Sequence, residues 1–349
     1  MQHELPLHPT SLTKWRQRVG ADKLAEMLGE TIALAVREKQ VTKQELAQVN
    51  VDTTVQEKNI THPTDSKLHH TAIVKLGQAA KQRGVKLRQT YVRVAKQAAL
   101  MVSRYAHAKQ FKRMRRRLKK LKTWLGRVIR DVRRKVPQPD AALEELLGLC
   151  ERLHAQKRTD SKKLYSLHEP EVMCISKGKA HQRYEFGQKV SVATTNRGNW
   201  IVGIDLCEGN PYDGHTLAKA VATVEQTTAV RVTDAYVDKG YRGHDYQGEA
   251  TVHLAGSSSR DLSRTKRKRR KRRSAVEPKI GHMKSDNRMR RCFLKGLSGD
   301  SINAILAAAG SNLQKLLRAF AHALLICLVS ILSEATRTAH SKPSLAPTG

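Results

Sequence analysis

Apolar side chains recur every four residues at Leu24, Leu28, Ile32 and Val36, the spacing of one helix face. Pro9-Thr-Ser-Leu12 supplies a start signal upstream. The period then shortens. Val49-Asn-Val-Asp52-Thr-Thr-Val-Gln56 alternates β-branched residues, which predicts a short strand, and polar residues 59–66 predict a loop. Asp52 is out of pattern in a strand, so it marks the strand's end or has a task of its own. From 67 to about 135 the pattern is helical. Leu87, Tyr91, Val94, Ala98 and Met101 form its apolar stripe, and Gly84 and Gly126 are possible breaks. Pro137-Gln-Pro139 ends the run, and Asp140 caps a further helix over 141–154.

After residue 160 the texture becomes strand-rich. Tyr184-Glu-Phe-Gly-Gln-Lys-Val-Ser-Val-Ala-Thr-Thr195 and Trp200-Ile-Val-Gly-Ile-Asp-Leu-Cys207 predict adjacent strands joined by the turn 196–199. Asn210-Pro-Tyr-Asp-Gly-His-Thr-Leu217 leads into a helix ending near Thr227. Residues 230–238 predict a third strand, stopped by Lys239-Gly240, and 251–255 a fourth. An apolar helix or helix pair spans 301–332, and 336–349 reads as a disordered tail. This order predicts an α/β fold with a mixed sheet flanked by helices, the basic all-helical block being inserted after the first strand.

Charge narrows the partner. Lys and Arg number 65 against 31 acids, a net of +34, and such a surplus favours a polyanion through counterion release. It is concentrated at Lys112-Arg-Met-Arg-Arg-Arg-Leu-Lys-Lys120 and Lys266-Arg-Lys-Arg-Arg-Lys-Arg-Arg273. The most apolar stretch, 319–332, has 14 residues and contains His322, against the roughly 20 that a membrane span requires. Met1-Gln-His-Glu-Leu-Pro is polar and does not read as a signal peptide. Five scattered cysteines without a CxxC pair read as inert core thiols in a cytoplasmic protein. His215, His244 and His282 lack the spacing of metal ligands and read as surface or phosphate contacts. With aromatics at 4%, no base-stacking platform is evident.

Three acids stand out by context. Asp52 lies on the first strand, Asp238 ends the third before a glycine turn, and Glu277 opens a helix beyond the basic run. Strand-end residues in α/β sheets face the ligand crevice. Three converging carboxylates need a cation, and hard oxygens suit Mg²⁺, for which Mn²⁺ substitutes. Asp205, Asp213 and Asp234 share parts of this context, so position alone does not choose the set, although Asp213 reads as the cap of the helix near His215. Pro278 fits a first helical turn, so the helix is expected to begin near Val276 or Glu277 with Arg273 ahead of it. Periodicity then secures only the pairing of Glu277 with Lys284, which would meet a phosphate as a point charge.

Seven motifs together resemble the DDE-type transposases of bacterial insertion sequences. They are Asn50-Val-Asp52-Thr-Thr-Val, Leu164-Tyr-Ser-Leu-His-Glu-Pro-Glu171, Ile175-Ser-Lys-Gly-Lys-Ala-His181, Tyr184-Glu-Phe-Gly, Gly209-Asn-Pro-Tyr-Asp-Gly-His-Thr-Leu217, Val237-Asp238-Lys-Gly-Tyr-Arg-Gly-His244 and Arg273-Ser-Ala-Val-Glu277-Pro-Lys-Ile-Gly-His-Met-Lys284. The resemblance runs from about residue 3 to 320. It implies a ribonuclease-H-like core with Asp52, Asp238 and Glu277 as catalytic, metal-holding acids. It also implies a Tyr-Arg-Glu-Lys signature carried by Arg273, Glu277 and Lys284, with Arg270 standing where the tyrosine is expected. Arg270, Arg273, Lys284, Lys239 and Arg242 become expected contacts to DNA phosphates.

The domains expected on this basis are a partial N-terminal helical region for DNA ends (1–46), the first core strand (47–66), the basic helical insertion (67–160), the remaining core with C-terminal helices (161–335) and the tail. The implied activity is Mg²⁺-dependent cleavage and strand transfer at terminal inverted repeats and target DNA, by a self-associating, nucleoid-associated protein. Met1 reads as an entry into the middle of the family's N-terminal segment. The alternatives are a truncated, catalytically incompetent transposase that inhibits by binding DNA, and a related metal-dependent nuclease.

Overall fold

The computed structural model describes residues 8–176, 183–256 and 263–340. Helix α1 (Pro9–Arg37) and short α2 (Lys43–Leu46) precede β1 (Gln48–Lys58). Helices α3 (Asp65–Gln82), α4 (Val92–His107), α5 (Phe111–Lys135) and α6 (Ala141–Ala155) follow. Then come β2 (Met173–Ser176), β3 (Tyr184–Thr195), β4 (Ile201–Leu206), α7 (Leu217–Thr228), β5 (Asp234–Val237) and β6 (Thr251–Leu254). The chain continues through α8 (Arg264–Arg272), α9 (Val276–Ser285), β7 (Arg291–Cys292) and α10 (Gly296–His340).

The fold is mixed α/β. The strand order is β2-β3-β1-β5-β6, with β4 on β3 and β7 on β1. Parallel pairing joins β1 to β5, through Gln48 opposite Asp234, and β5 to β6. Antiparallel pairing joins β3 to β4 and to β2. Central parallel strands are covered on both faces and so lose alternation. In β1, Val49, Asn50 and Val51 are buried in succession, as are Thr54, Val55 and Gln56; only Asp52 and Thr53 between them are partly open.

The chain divides into two compact units. The first comprises 1–54, 190–290 and 300–349. Its core gathers Ile32, Val49, Val51, Val202, Leu217, Val221, Val224, Ala235 and Val237 around the first stretch of β1. The second comprises 55–189 and 291–299. Its core is helical, built from Ile73, Leu76, Leu121, Leu125, Val128, Val132, Leu147 and Leu153. Helix α5 serves it well: Leu121, Leu125, Val128 and Val132 fall on one buried stripe while its arginines and lysines stay outside.

Several expectations need correction. The first strand is 11 residues long rather than short. The third strand is only Asp234–Val237, because Val232 N bonds the Glu225 carboxylate and Thr233 N bonds Ala47 O before the ladder begins. The apolar C-terminal stretch is one helix of 45 residues that continues through His340. The second and seventh strands, of four and two residues, are too short to show a period, and α8 carries no apolar residue. Cys150, Cys174, Cys207 and Cys292 are thiols, and burial pushes that of Cys150 up to about 12. No described helix is long and apolar enough to cross a membrane. Residues 1–7, 177–181 of the third motif, and 341–349 of the expected tail lie outside the described residues.

Candidate active site

All three singled-out acids belong to the first unit, and one guanidinium touches them all. Arg273 Nη2 lies 3.2 Å from Asp52 Oδ2 and 3.8 Å from Asp238 Oδ2, while Nη1 lies 3.2 Å from Glu277 Oε1. With the acids ionised, three negative charges and one positive leave a net of two negative charges around this cation.

Local chemistry fixes each acid. The Thr53 backbone N–H donates to Asp52 Oδ1 at 2.8 Å. Asp238 follows β5 and caps a short 3₁₀ turn, Lys239–Tyr241, its Oδ1 accepting from Gly240 N at 2.8 Å. Glu277 stands in the first turn of α9, beside Pro278, whose missing N–H has no partner to lose there. Burial raises the Asp52 carboxyl from its ordinary 3.8 to about 6. The Arg273 charge and the Thr53 N–H oppose that rise, and the charges of Asp238 and Glu277 add to it.

Arg273 does not precede a separate helix. A 3₁₀ turn, Arg273–Ala275, joins α8 to α9 with helical backbone angles throughout, so Arg273 and Glu277 meet at i, i+4. The ion pair at Glu277 Oε1 is therefore made by Arg273, one helical turn before it. Helix α8 buries no residue, so apolar packing does not hold it. Side-chain amides do: Asn196 bonds Arg269 O at 3.0 Å, Asn50 bonds Arg272 O at 3.2 Å and Asn199 bonds Ala275 O at 3.0 Å. Asn196 also bonds the fully buried Asn50 at 2.7 Å. These three asparagines hang the basic helix, and Arg273 with it, over Asp52.

A fourth acid, Asp213, is not the helix cap that its sequence context predicts. Asp213 Oδ1 instead accepts from Thr53 Oγ1 at 2.8 Å, and Thr53 is the residue whose N–H holds Asp52. The other Asp213 oxygen and Asp238 Oδ1 both face Gly240, 3.3 and 2.9 Å from where a β-carbon would stand. The only signal in the sequence was Thr53 itself, a polar side chain beside an out-of-pattern acid. Beneath them Tyr241 is fully buried, and burial with the charges of Asp52, Asp213 and Asp238 raises its phenol, against the Thr216 hydroxyl. Asp205 is engaged elsewhere, by Thr223 and, at 3.1 Å, Lys219.

The expected phosphate contacts stand on different elements. Arg270 lines a cleft of about 290 Å³ with Arg267, Lys271, Arg273 and the stacked pair Tyr236 and His253. Lys239 and Arg242 are exposed on the turn after Asp238, and Lys284 is half-buried on α9. His282 pairs with Asp286 at 3.0 Å, and His215 packs edge-on against Tyr212. Among the described residues no three His, Cys, Asp or Glu side chains converge as a preformed metal cage.

The chain is 46% identical over 110 residues to "Uncharacterized protein ORF8 in nfe locus" of Rhizobium meliloti, covering 32% of this chain and 53% of that protein. It thus spans about half the length of this relative. No solved structure matches. Residues 236–317 match the family described as the transposase DDE domain. That segment contains Asp238, Arg270, Arg273, Glu277 and Lys284, and its similarity is to a DDE-type transposase domain.

Proposed function

We propose that the protein is a transposase that cuts DNA at the inverted-repeat ends of an insertion sequence and joins them to target DNA. The carrying observation is the gathering of Asp52, Asp238 and Glu277 around Arg273. The parallel trio β1, β5 and β6 beside antiparallel β3 and β4 supports a ribonuclease-H-like core.

The donor set fits Mg²⁺, with Mn²⁺ as substitute: the oxygens are hard and carry two surplus negative charges. Mg²⁺ sites commonly use one or two carboxylates completed by water and substrate phosphate, so a preformed three-ligand cage is not required. Asp52 and Asp238, each anchored by a backbone N–H, are its rigid holders, and exposed Glu277 is the mobile third. Held by these carboxylates, a divalent cation would supply activation of the attacking water or 3′-hydroxyl and charge stabilisation at the leaving oxygen. Arg273 balances the acids before DNA arrives, then turns to the phosphate. Arg270, Lys239, Arg242 and Lys284 hold the flanking strand.

The test is cleavage of duplexes carrying the element's ends, with and without Mg²⁺. Mg²⁺-dependent nicking, lost in Asp238→Asn and Glu277→Gln, is expected. Equal cleavage by both variants would overturn the assignment. Binding without cleavage would point to a DNA-binding inhibitor, and cleavage of DNA lacking the repeats to a nuclease.

A further inference from the structure

On the helical second unit, a groove of about 630 Å³ is lined by Arg88, Arg127, Arg130 and Arg134 against one carboxylate, Asp131. Four positive charges and one negative leave a net of three positive charges. Arg127, Arg130 and Arg134 follow at offsets of three and four on α5, so they share a face. They span seven residues, about 10 Å at 1.5 Å each. A single phosphate is shorter than that; a strand whose phosphates rise by about 3.4 Å presents several within it.

The groove is built rather than incidental. Asp131, 8% exposed, accepts from Arg88 N at 2.7 Å and Lys135 Nζ at 3.3 Å, and also pairs with Arg134. Arg127 donates to the Tyr91 hydroxyl at 3.2 Å, and the Tyr91 ring stacks on Trp124 with centroids 5.8 Å apart. Tyr91 is held at φ 57°, a left-handed conformation that bulky residues rarely adopt and that tends to mark functional sites. From there it opens α4 without a side-chain cap hydrogen bond, and the positive end of a helix dipole favours an anion. Among the described residues the exposed guanidiniums of Arg88 and Arg130 have no carboxylate partner.

We propose that this groove binds successive backbone phosphates of duplex DNA, as a site apart from the acids of the first unit. The inference rests on the reading of the chain as one that acts on DNA. The test is metal-free binding of duplex DNA by fluorescence anisotropy across roughly 50–200 mM salt, where phosphate contacts dominate the salt dependence. Losing two contacts in the Arg88→Gln, Arg130→Gln double variant should flatten the slope of log affinity against log salt by about 1.8, at about 0.9 per phosphate. Arg130→Gln alone should flatten it by about 0.9, and stands in if the double variant loses its fold. An unchanged slope overturns the proposal. So does stabilisation of the wild type by inorganic phosphate with the DNA slope unchanged, which would assign the groove to a small anion. Because no divalent metal is present, failure of the catalytic reading leaves this result unaffected, and the reverse holds for cleavage.

Discussion

Arg273 Nη2 stands 3.2 Å from Asp52 Oδ2, although 221 residues separate the two in sequence. The same guanidinium reaches Asp238 and Glu277, so its removal leaves three carboxylates facing one another. Arg273→Ala should cost about 1–3 kcal/mol of stability at pH 8, the usual penalty for stranding partly buried polar partners. Added Mg²⁺ should then raise the melting temperature of this variant more than that of the wild type. Thermal melts with and without Mg²⁺ decide it, and equal shifts would contradict the shared-cation view.

Asp52 carries a stability cost of its own. Burial raises its carboxyl from 3.8 to about 6, so the folded chain holds the proton more tightly than the unfolded one. This favours folding below about pH 4, and the advantage is lost as pH rises through about 6. Two pH units at 1.36 kcal/mol each set an upper figure of about 3 kcal/mol. Asp52→Asn should therefore stabilise the fold at pH 8 and change it little at pH 4, while abolishing cleavage. Denaturant titrations at both pH values measure this; stabilisation that does not grow with pH would count against it.

Thr53 links two acids, through its N–H to Asp52 and its hydroxyl to Asp213. Thr53→Val keeps the shape and removes the hydroxyl donor, whereas Thr53→Ser keeps it. Cleavage should fall on the order of tenfold in the valine variant, the effect of about 1.4 kcal/mol at the transition state, and stay near wild type in the serine variant. Equal activity of the two would remove Asp213 from the account.

Much of the frame was readable in the sequence because its signals are local. The β3–β4 hairpin follows from two strand-like runs around Asn196-Arg-Gly-Asn199, and Asp52 betrayed itself as an acid inside a strand. What stayed hidden depends on distant partners. Asn50, Asn196 and Asn199 look like ordinary polar residues until their amides are seen on the carbonyls of α8 and the turn after it. Asp213 has the sequence context of a cap, and only the fold turns it toward Thr53. Pro278 signals a helix start, which places Arg273 ahead of the helix. The structure instead carries helical backbone through Arg273–Ala275, where Arg273 N bonds Arg270 O and Arg269 O is taken by Asn196.

Gly240 leaves no room for a side chain between two of these acids. A β-carbon there would stand 2.9 Å from Asp238 Oδ1 and 3.3 Å from Asp213 Oδ2. Gly240→Ala should displace both carboxylates with little change in melting temperature. A shift of that kind can lower cleavage on the order of a hundredfold. Single-turnover rates with a parallel melt separate the two effects, and full activity would show that Asp238 tolerates the shift.

The most direct measurement exchanges one oxygen donor for sulfur. Asp238→Cys should fail to cut the element's ends with Mg²⁺, which binds thiolate poorly, and should recover cleavage with the more thiophilic Mn²⁺. Recovery specific to Mn²⁺ is the predicted result, because it requires residue 238 to touch the metal. Undiminished cleavage with Mg²⁺, or no recovery with Mn²⁺ in a folded variant, would contradict a metal-holding role for Asp238.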